Sequence, residues 1–150
     1  MGGKRVLAFD FGASSGRAIL ATYEDGRIAM QEIHRFSNDP VTICGVFYWD
    51  VLRLFFEIKQ GITKAVHQGG FDAIGIDTWG VDFGLLDEKG HLMNNPVHYR
   101  DERTVGMMEK VFEVIPAEEL YARTGTQFAR LNTIFQLYSL RLNEPELLDR

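Results

Sequence analysis

The chain has 150 residues, 45% of them hydrophobic and 25% charged, a balance that supports one domain's core and excludes a disordered or fibrous chain. Its formal net charge is −5, with 16 basic residues scattered among 21 acidic ones, which excludes a protein built to grip a nucleic-acid backbone. The single cysteine, Cys44, cannot form an internal disulfide, and the apolar run that Asp10 ends is too short for a signal-peptide core or a membrane span, so the expected setting is cytoplasmic.

Residues 6–11 are rich in Val, Leu and Phe, and residues 17–23 repeat that character after a Gly/Ser-rich turn, which predicts two antiparallel strands. Asp25-Gly26 marks a second tight turn, and residues 27–36 continue with Ile28, Met30 and Ile33 to the breaker Ser37-Asn38-Asp39-Pro40. The opening therefore reads as a three-stranded meander. From Asp50, a residue suited to an N-cap, apolar side chains recur at Val51, Phe55, Ile58, Ile62 and Ala65, one face of a helix that Gly69-Gly70 ends. Gly61 inside it costs about 1 kcal/mol relative to alanine, so burial of the stripe must carry the helix.

Residues 71–77 and 81–87 read as strands separated at Thr78-Trp79-Gly80, with Glu88-Lys89-Gly90 as a hairpin turn. Segments from Glu102, from Pro116 and from Asn132 have helical apolar spacing, punctuated by Thr124-Gly125 and Pro145. Strands, a helix, more strands and a helical run predict an α/β fold with a mixed sheet flanked by helices. The last residues, from Pro145, open as a further helix with no cap or polar tail, and the chain is expected to be the first part of a longer one.

Two segments carry chemistry. Asp10-Phe11-Gly12-Ala13-Ser14-Ser15-Gly16-Arg17 lies in the turn between the first two strands. Gly12 and Gly16 let the backbone turn tightly and approach a ligand, Ser14 and Ser15 add hydroxyl donors, Arg17 offers a fork of donors, and Asp10 is placed to hold a hydrated Mg²⁺. The same composition also suits an ordinary polar hairpin in which the serines satisfy backbone groups. In the second segment a strand reaches Asp77, and Trp79, Gly80 and Asp82 follow. An aromatic face beside a carboxylate and open backbone is what a sugar site needs, while a core tryptophan between two turn aspartates has the same sequence.

The pattern Asp-x-Gly-x-Ser-x-x-Arg at the start of the chain resembles the first phosphate motif of the actin-like ATPase superfamily, whose fold is ribonuclease H-like. Asp77-Thr-Trp-Gly-Val-Asp-Phe83, with Glu32-Ile-His-Arg-Phe36, Tyr48-Trp-Asp50, Tyr99-Arg-Asp-Glu-Arg-Thr104, Gly125-Thr-Gln-Phe128 and Asn132-Thr-Ile-Phe-Gln-Leu137, is similar in order to the FGGY family of carbohydrate kinases, in its branch acting on L-rhamnulose.

The resemblance makes residues 1–150 the amino-terminal part of the first kinase domain, with the rest of that domain and the second domain absent. It implies ATP phosphates at Ala13, Ser14, Ser15, Gly16 and Arg17, Mg²⁺ near Asp10, and sugar contact at Gly80 with Trp79 and Asp82 beside it. Tyr99 and Asp101 fall where relatives place an aromatic and an acid around the sugar. The implied reaction is transfer of the ATP γ-phosphate to the 1-hydroxyl of a ketose, with the proton-accepting aspartate beyond Arg150, so these residues alone are expected to be inactive. Fuculose, xylulose or ribulose kinases, or a non-catalytic nucleotide- or sugar-binding fragment, are the alternatives. Neither a nucleic-acid nor a membrane partner is expected, His34 and His98 are assigned no role, and oligomeric state is not legible.

Overall fold

In a computed structural model, residues 3–148 are described, and they divide into two units. The first comprises Met1–Val41 and Trp49–Gly80. Its sheet runs β1 (Lys4–Phe11), β2 (Ser15–Glu24), β3 (Arg27–Ser37) and, after a helix, a further strand at Ala73–Asp77, with spatial order third, second, first, last. The expected meander forms, with β1 antiparallel to β2 and β2 to β3, and the Asp25-Gly26 turn takes positive φ at both residues, 50° and 75°. The last strand pairs parallel to β1, which makes the sheet mixed, as expected.

Helix α1 (Val51–His67) starts at Asp50, whose carboxylate accepts the Arg53 N–H at 3.0 Å. Its buried face departs from the expected stripe. Phe55 is 59% exposed, and the residues turned inward are Leu54, Glu57, Ile58, Gly61, Ile62 and Ala65, packed against Leu7, Phe9, Phe11, Ala18, Leu20 and Phe36 of the sheet. Gly61 sets that angle. A Cβ there would lie 2.6 Å from Phe9 Cε1 and 3.0 Å from Ala18 Cβ, so the helix approaches the sheet through its glycine.

This decides the sign of one substitution. Gly61→Ala gains about 1 kcal/mol in helix propensity but forces a methyl against a 2%-exposed phenylalanine, an overpacking cost of roughly 1–3 kcal/mol. Urea unfolding is expected to show net loss of stability, whereas the same change at a solvent-facing glycine would stabilise.

The second unit comprises Thr42–Tyr48 and Val81–Arg150. Strands β4 (Val41–Ile43) and β5 (Val46–Tyr48) form a short hairpin absent from the sequence reading, turned by Cys44 and Gly45 at φ 51° and 84°. With these counted, the strand Ala73–Asp77 is β6. The expected strand at residues 81–87 does not form; only Leu86 bridges Leu92, around the expected turn at Gly90. Its backbone is satisfied otherwise, with Val81 O accepting from Thr133 Oγ1 at 2.8 Å and Leu85 O from Met93 N at 3.0 Å.

The helical run appears as a single 3₁₀ turn (Glu102–Thr104), α2 (Met107–Val114), α3 (Ala117–Thr124) and α4 (Thr133–Asn143). Asn132 and Pro116 sit at the N-caps of α4 and α3, and Gly125 closes α3 in the left-handed region. Pro145 opens only one 3₁₀ turn, Pro145–Leu147, rather than a further α-helix. The core of this unit is Met107, Val111, Leu120 and Phe135. No helix among the described residues is long and apolar enough to cross a membrane.

Candidate functional site

In the first unit the chemistry gathers at one end of the sheet, where β1 and β6 both finish. Asp10 lies opposite Arg17 across the β1–β2 pair and opposite Asp77 across the β1–β6 pair. Arg17 donates from Nε and Nη2 to Asp10 Oδ2 at 2.9 and 2.7 Å, with both side chains nearly half exposed. Sequence alone places Asp77 at a strand end or in a turn. The parallel pairing puts it beside Asp10, a neighbour that sequence distance hides.

The hairpin itself is pinned at its flanks and open at its tip. Gly12 N–H donates to Ser15 O at 2.9 Å, and buried Asn38 clasps the turn from both sides, its Nδ2 donating to Gly12 O at 2.9 Å and its N–H to Ser14 O at 3.1 Å. Ser14 and Ser15 are exposed, and among the described residues their hydroxyls make no hydrogen bond to the protein. A held turn with open hydroxyl donors beside a guanidinium fits a phosphate chain. Mg²⁺ favours one or two carboxylates with phosphate oxygens and water for the rest, which fits Asp10 beside Asp77. Among the described residues no group of three or more His, Cys, Asp or Glu is placed to hold a metal by itself.

The expected reason for Gly16 changes. It is a buried strand residue at which a Cβ would sit 2.2 Å from Phe36 Cζ, so packing demands the glycine whatever the ligand. Trp79 stacks on buried Trp49 with centroids 4.2 Å apart and packs against the first core, so its indole has a structural anchor. Gly80 adopts φ 72°, a backbone that disfavours any side chain, and space beside it is open for 4 Å.

Asp82, Tyr99 and Asp101 belong to the second unit. Asp101 is a tie for the local backbone: Oδ2 accepts Phe47 N–H and Oδ1 accepts Arg103 N–H, both at 2.8 Å. Tyr99 stacks on His98, which is 2% exposed and is sandwiched against Phe47 as well, with both centroid distances 4.5 Å. Burial pushes the His98 imidazole below its ordinary range, with Asp82 pulling the other way. Its Nδ1 accepts the Arg100 N–H at 3.0 Å, which leaves the proton of the neutral ring on Nε2.

Two residues here escaped the sequence reading as functional candidates. Arg103 reaches from the 3₁₀ turn to donate to Gln136 Oε1 at 2.7 Å, with Asp101 and Asp82 both close enough to stabilise its charge against the burial that pushes its pKa down. Gln136 is fully buried in α4. The available signal was a polar pair, Gln136 and Ser139, three residues apart on the face that also buries Phe135 and Leu140. A cavity of about 100 Å³ lies beside Phe83, Asn95, Asp101 and Arg103, below the roughly 300 Å³ at which ligand pockets begin.

Residues 5–150 match the family model described as the FGGY family of carbohydrate kinases, N-terminal domain. The chain belongs to that family. Curated FGGY relatives include rhamnulokinases from Oceanobacillus iheyensis, 46% identical across 96% of this chain and 31% of the relative, and from Halalkalibacterium halodurans, 48% identical across 94% and 30%. A rhamnulokinase from Klebsiella pneumoniae is 43% identical across 98% of this chain and 31% of its own.

Among solved structures, gluconate kinase from Lactobacillus acidophilus superposes with a TM-score of 0.82 at 17% identity, covering 99% of this chain and 30% of that one. A ligand-bound xylulose kinase from the same organism gives 0.80 at 18% identity, covering 98% and 30%. The chain therefore folds as the amino-terminal part of the actin-like ATPase fold that the resemblance implies. The chain spans about 30% of the length of the relatives it matches.

Proposed function

We propose that residues 1–150 are the amino-terminal part of the first domain of an ATP-dependent ketose kinase that converts L-rhamnulose to L-rhamnulose 1-phosphate. The observation that carries the reading is the clasped, open hairpin beside Asp10, Arg17 and Asp77 at one sheet end. Ala13, Ser14, Ser15 and Gly16 offer the turn's backbone and hydroxyls to the ATP phosphates, Arg17 supplies positive charge, and Asp10 with Asp77 would hold Mg²⁺. Bound there, the metal would neutralise charge developing on the transferred phosphoryl group. Until then the Asp10–Arg17 pair neutralises both residues, and binding requires that pair to open or be shared.

Gly80, Trp79, Asp82, Tyr99 and Asp101 are assigned to the sugar side. Trp79 offers an aromatic surface, the left-handed Gly80 brings backbone close to a hydroxyl, and Asp82 accepts hydroxyl protons in hydrogen bonds. Asp101 acts by holding Phe47 and Arg103 in place. The proton-accepting carboxylate and the adenosine pocket come from sequence outside residues 1–150. The choice of L-rhamnulose rests on the names of relatives 43–48% identical to this chain.

Coupled ADP release across a ketose panel tests the assignment in a protein carrying this domain with the remainder of the family's length. Turnover of L-rhamnulose should exceed that of fuculose, xylulose and ribulose. Equal turnover of xylulose with none of rhamnulose would move the protein to another branch.

A further inference from the structure

We propose that Gln136 and Arg103 form a positioning pair that orients Asp82 for the ketose, an inference that rests on the sugar-side assignment of Asp82. Gln136 has no exposed surface, and every polar atom of its amide is engaged. Oε1 accepts from Arg103 Nη2 at 2.7 Å. That bond fixes the amide, because the flipped orientation would set NH₂ against a guanidinium that has only donors. Nε2 then points to Leu131 O at 2.8 Å, Val81 O at 3.2 Å and Asp82 Oδ1 at 3.4 Å. Two hydrogens serve three acceptors: one goes to Leu131, and the other is shared between Val81 and Asp82.

The result is a clamp on an irregular segment. Residues 81–85 form no strand, so no ladder holds Val81 and Asp82. Thr133 Oγ1 and Gln136 Nε2 converge on Val81 O from successive turns of α4. Arg103 is itself held from behind. Its backbone N–H donates to Asp101 and its carbonyl accepts from Ser139 Oγ at 2.8 Å, while its guanidinium lies 5.7 Å from the Phe83 ring centroid. A fixed amide on Asp82 and a fixed cation near it hold the carboxylate in the one orientation that can meet a sugar hydroxyl. Gln136 and Arg103 touch no substrate in this scheme; they act through Asp82.

Steady-state kinetics in the full-length kinase with Asp82→Ala, Gln136→Leu, Gln136→Glu and the double variant Asp82→Ala/Gln136→Leu tests the pair. Gln136→Leu should raise KM for L-rhamnulose about tenfold, the size of one lost hydrogen bond to a charged group, and leave KM for ATP unchanged. In the Asp82→Ala background the same change should add nothing. Gln136→Glu keeps the shape and the Arg103 bond but removes both donors, so it reports in the same direction should the leucine variant misfold.

An equal rise in KM for ATP, or a Gln136 effect undiminished without Asp82, overturns the inference. If Asp82→Ala raises KM for the ketose and neither Gln136 variant does, the positioning pair alone fails. If Asp82→Ala leaves it unchanged, the sugar-side assignment fails and the pair falls with it.

Discussion

Replacing Glu57 by leucine is expected to destabilise the protein by about 2 kcal/mol, within the roughly 1–3 kcal/mol that leaving a buried hydrogen-bond donor unpaired costs. Glu57 is 3% exposed on the inner face of α1. Its Oε2 meets His34 Nε2 at 2.6 Å, and its Oε1 accepts from Arg53 Nε at 2.5 Å, while Lys64 Nζ donates to His34 Nδ1 at 2.8 Å. With Lys64 donating to Nδ1, the imidazole carries its proton on Nε2 and passes it toward the carboxylate as a donor. Leucine fills the space yet strands that N–H in a poorly solvated site.

Adding His34→Leu should recover most of the loss, because Arg53 and Lys64 are exposed and can hydrate by themselves. Urea midpoints of the single and double variants measure both terms.

The same cluster has a pH signature. Burial by itself would raise the Glu57 pKa, but the hydrogen bonds from His34 and Arg53 and the charge of Arg53 outweigh it, and the net shift is downward from the ordinary 4.5. A depressed carboxylate adds stability that is fully present above its unfolded value and lost as pH falls through the folded one. The stability gap between the native protein and Glu57→Gln should therefore be widest near neutrality and close below about pH 4.5. A gap independent of pH between 7 and 3 would remove the charge from the explanation.

Gly16→Ala is expected to cost about 3 kcal/mol, the upper part of the overpacking range. The added methyl would lie 2.2 and 2.5 Å from Phe36 Cζ and Cε2. Phe36 cannot simply swing away, being 7% exposed and edge-packed on Phe11 at 5.5 Å. In a Phe36→Leu background the shorter side chain leaves room, and the same alanine should cost less than about 1 kcal/mol, a non-additivity that thermal or urea unfolding can read. Full cost in both backgrounds would mean that the hairpin's backbone, not its packing, demands the glycine.

The hairpin, the meander and the starts of α1, α3 and α4 were legible because their causes are local: glycine turns, alternating strands, capping residues and helical apolar spacing. The face of α1 was not. Phe55 fits the helical period as well as Leu54 does, and the choice between them follows from Phe9 pressing on Gly61 across the core. The segment at 81–87 fails for a similar reason. Its apolar residues suit a strand, yet the partners that Val81 O finds are side chains of α4, 52 and 55 residues on.

The sequence by itself determined that a Gly/Ser-rich turn flanked by Asp10 and Arg17 sits between the first two strands, because every residue of that turn lies within eight positions of chain. It also carried the FGGY resemblance, which the match over residues 5–150 bears out. Only the tertiary structure placed Asp77 beside Asp10, gave Gly16 to Phe36, and set Gln136 and Arg103 around Asp82. Those neighbours are chosen by strand register and helix packing, and neither is written in the local spacing of side chains.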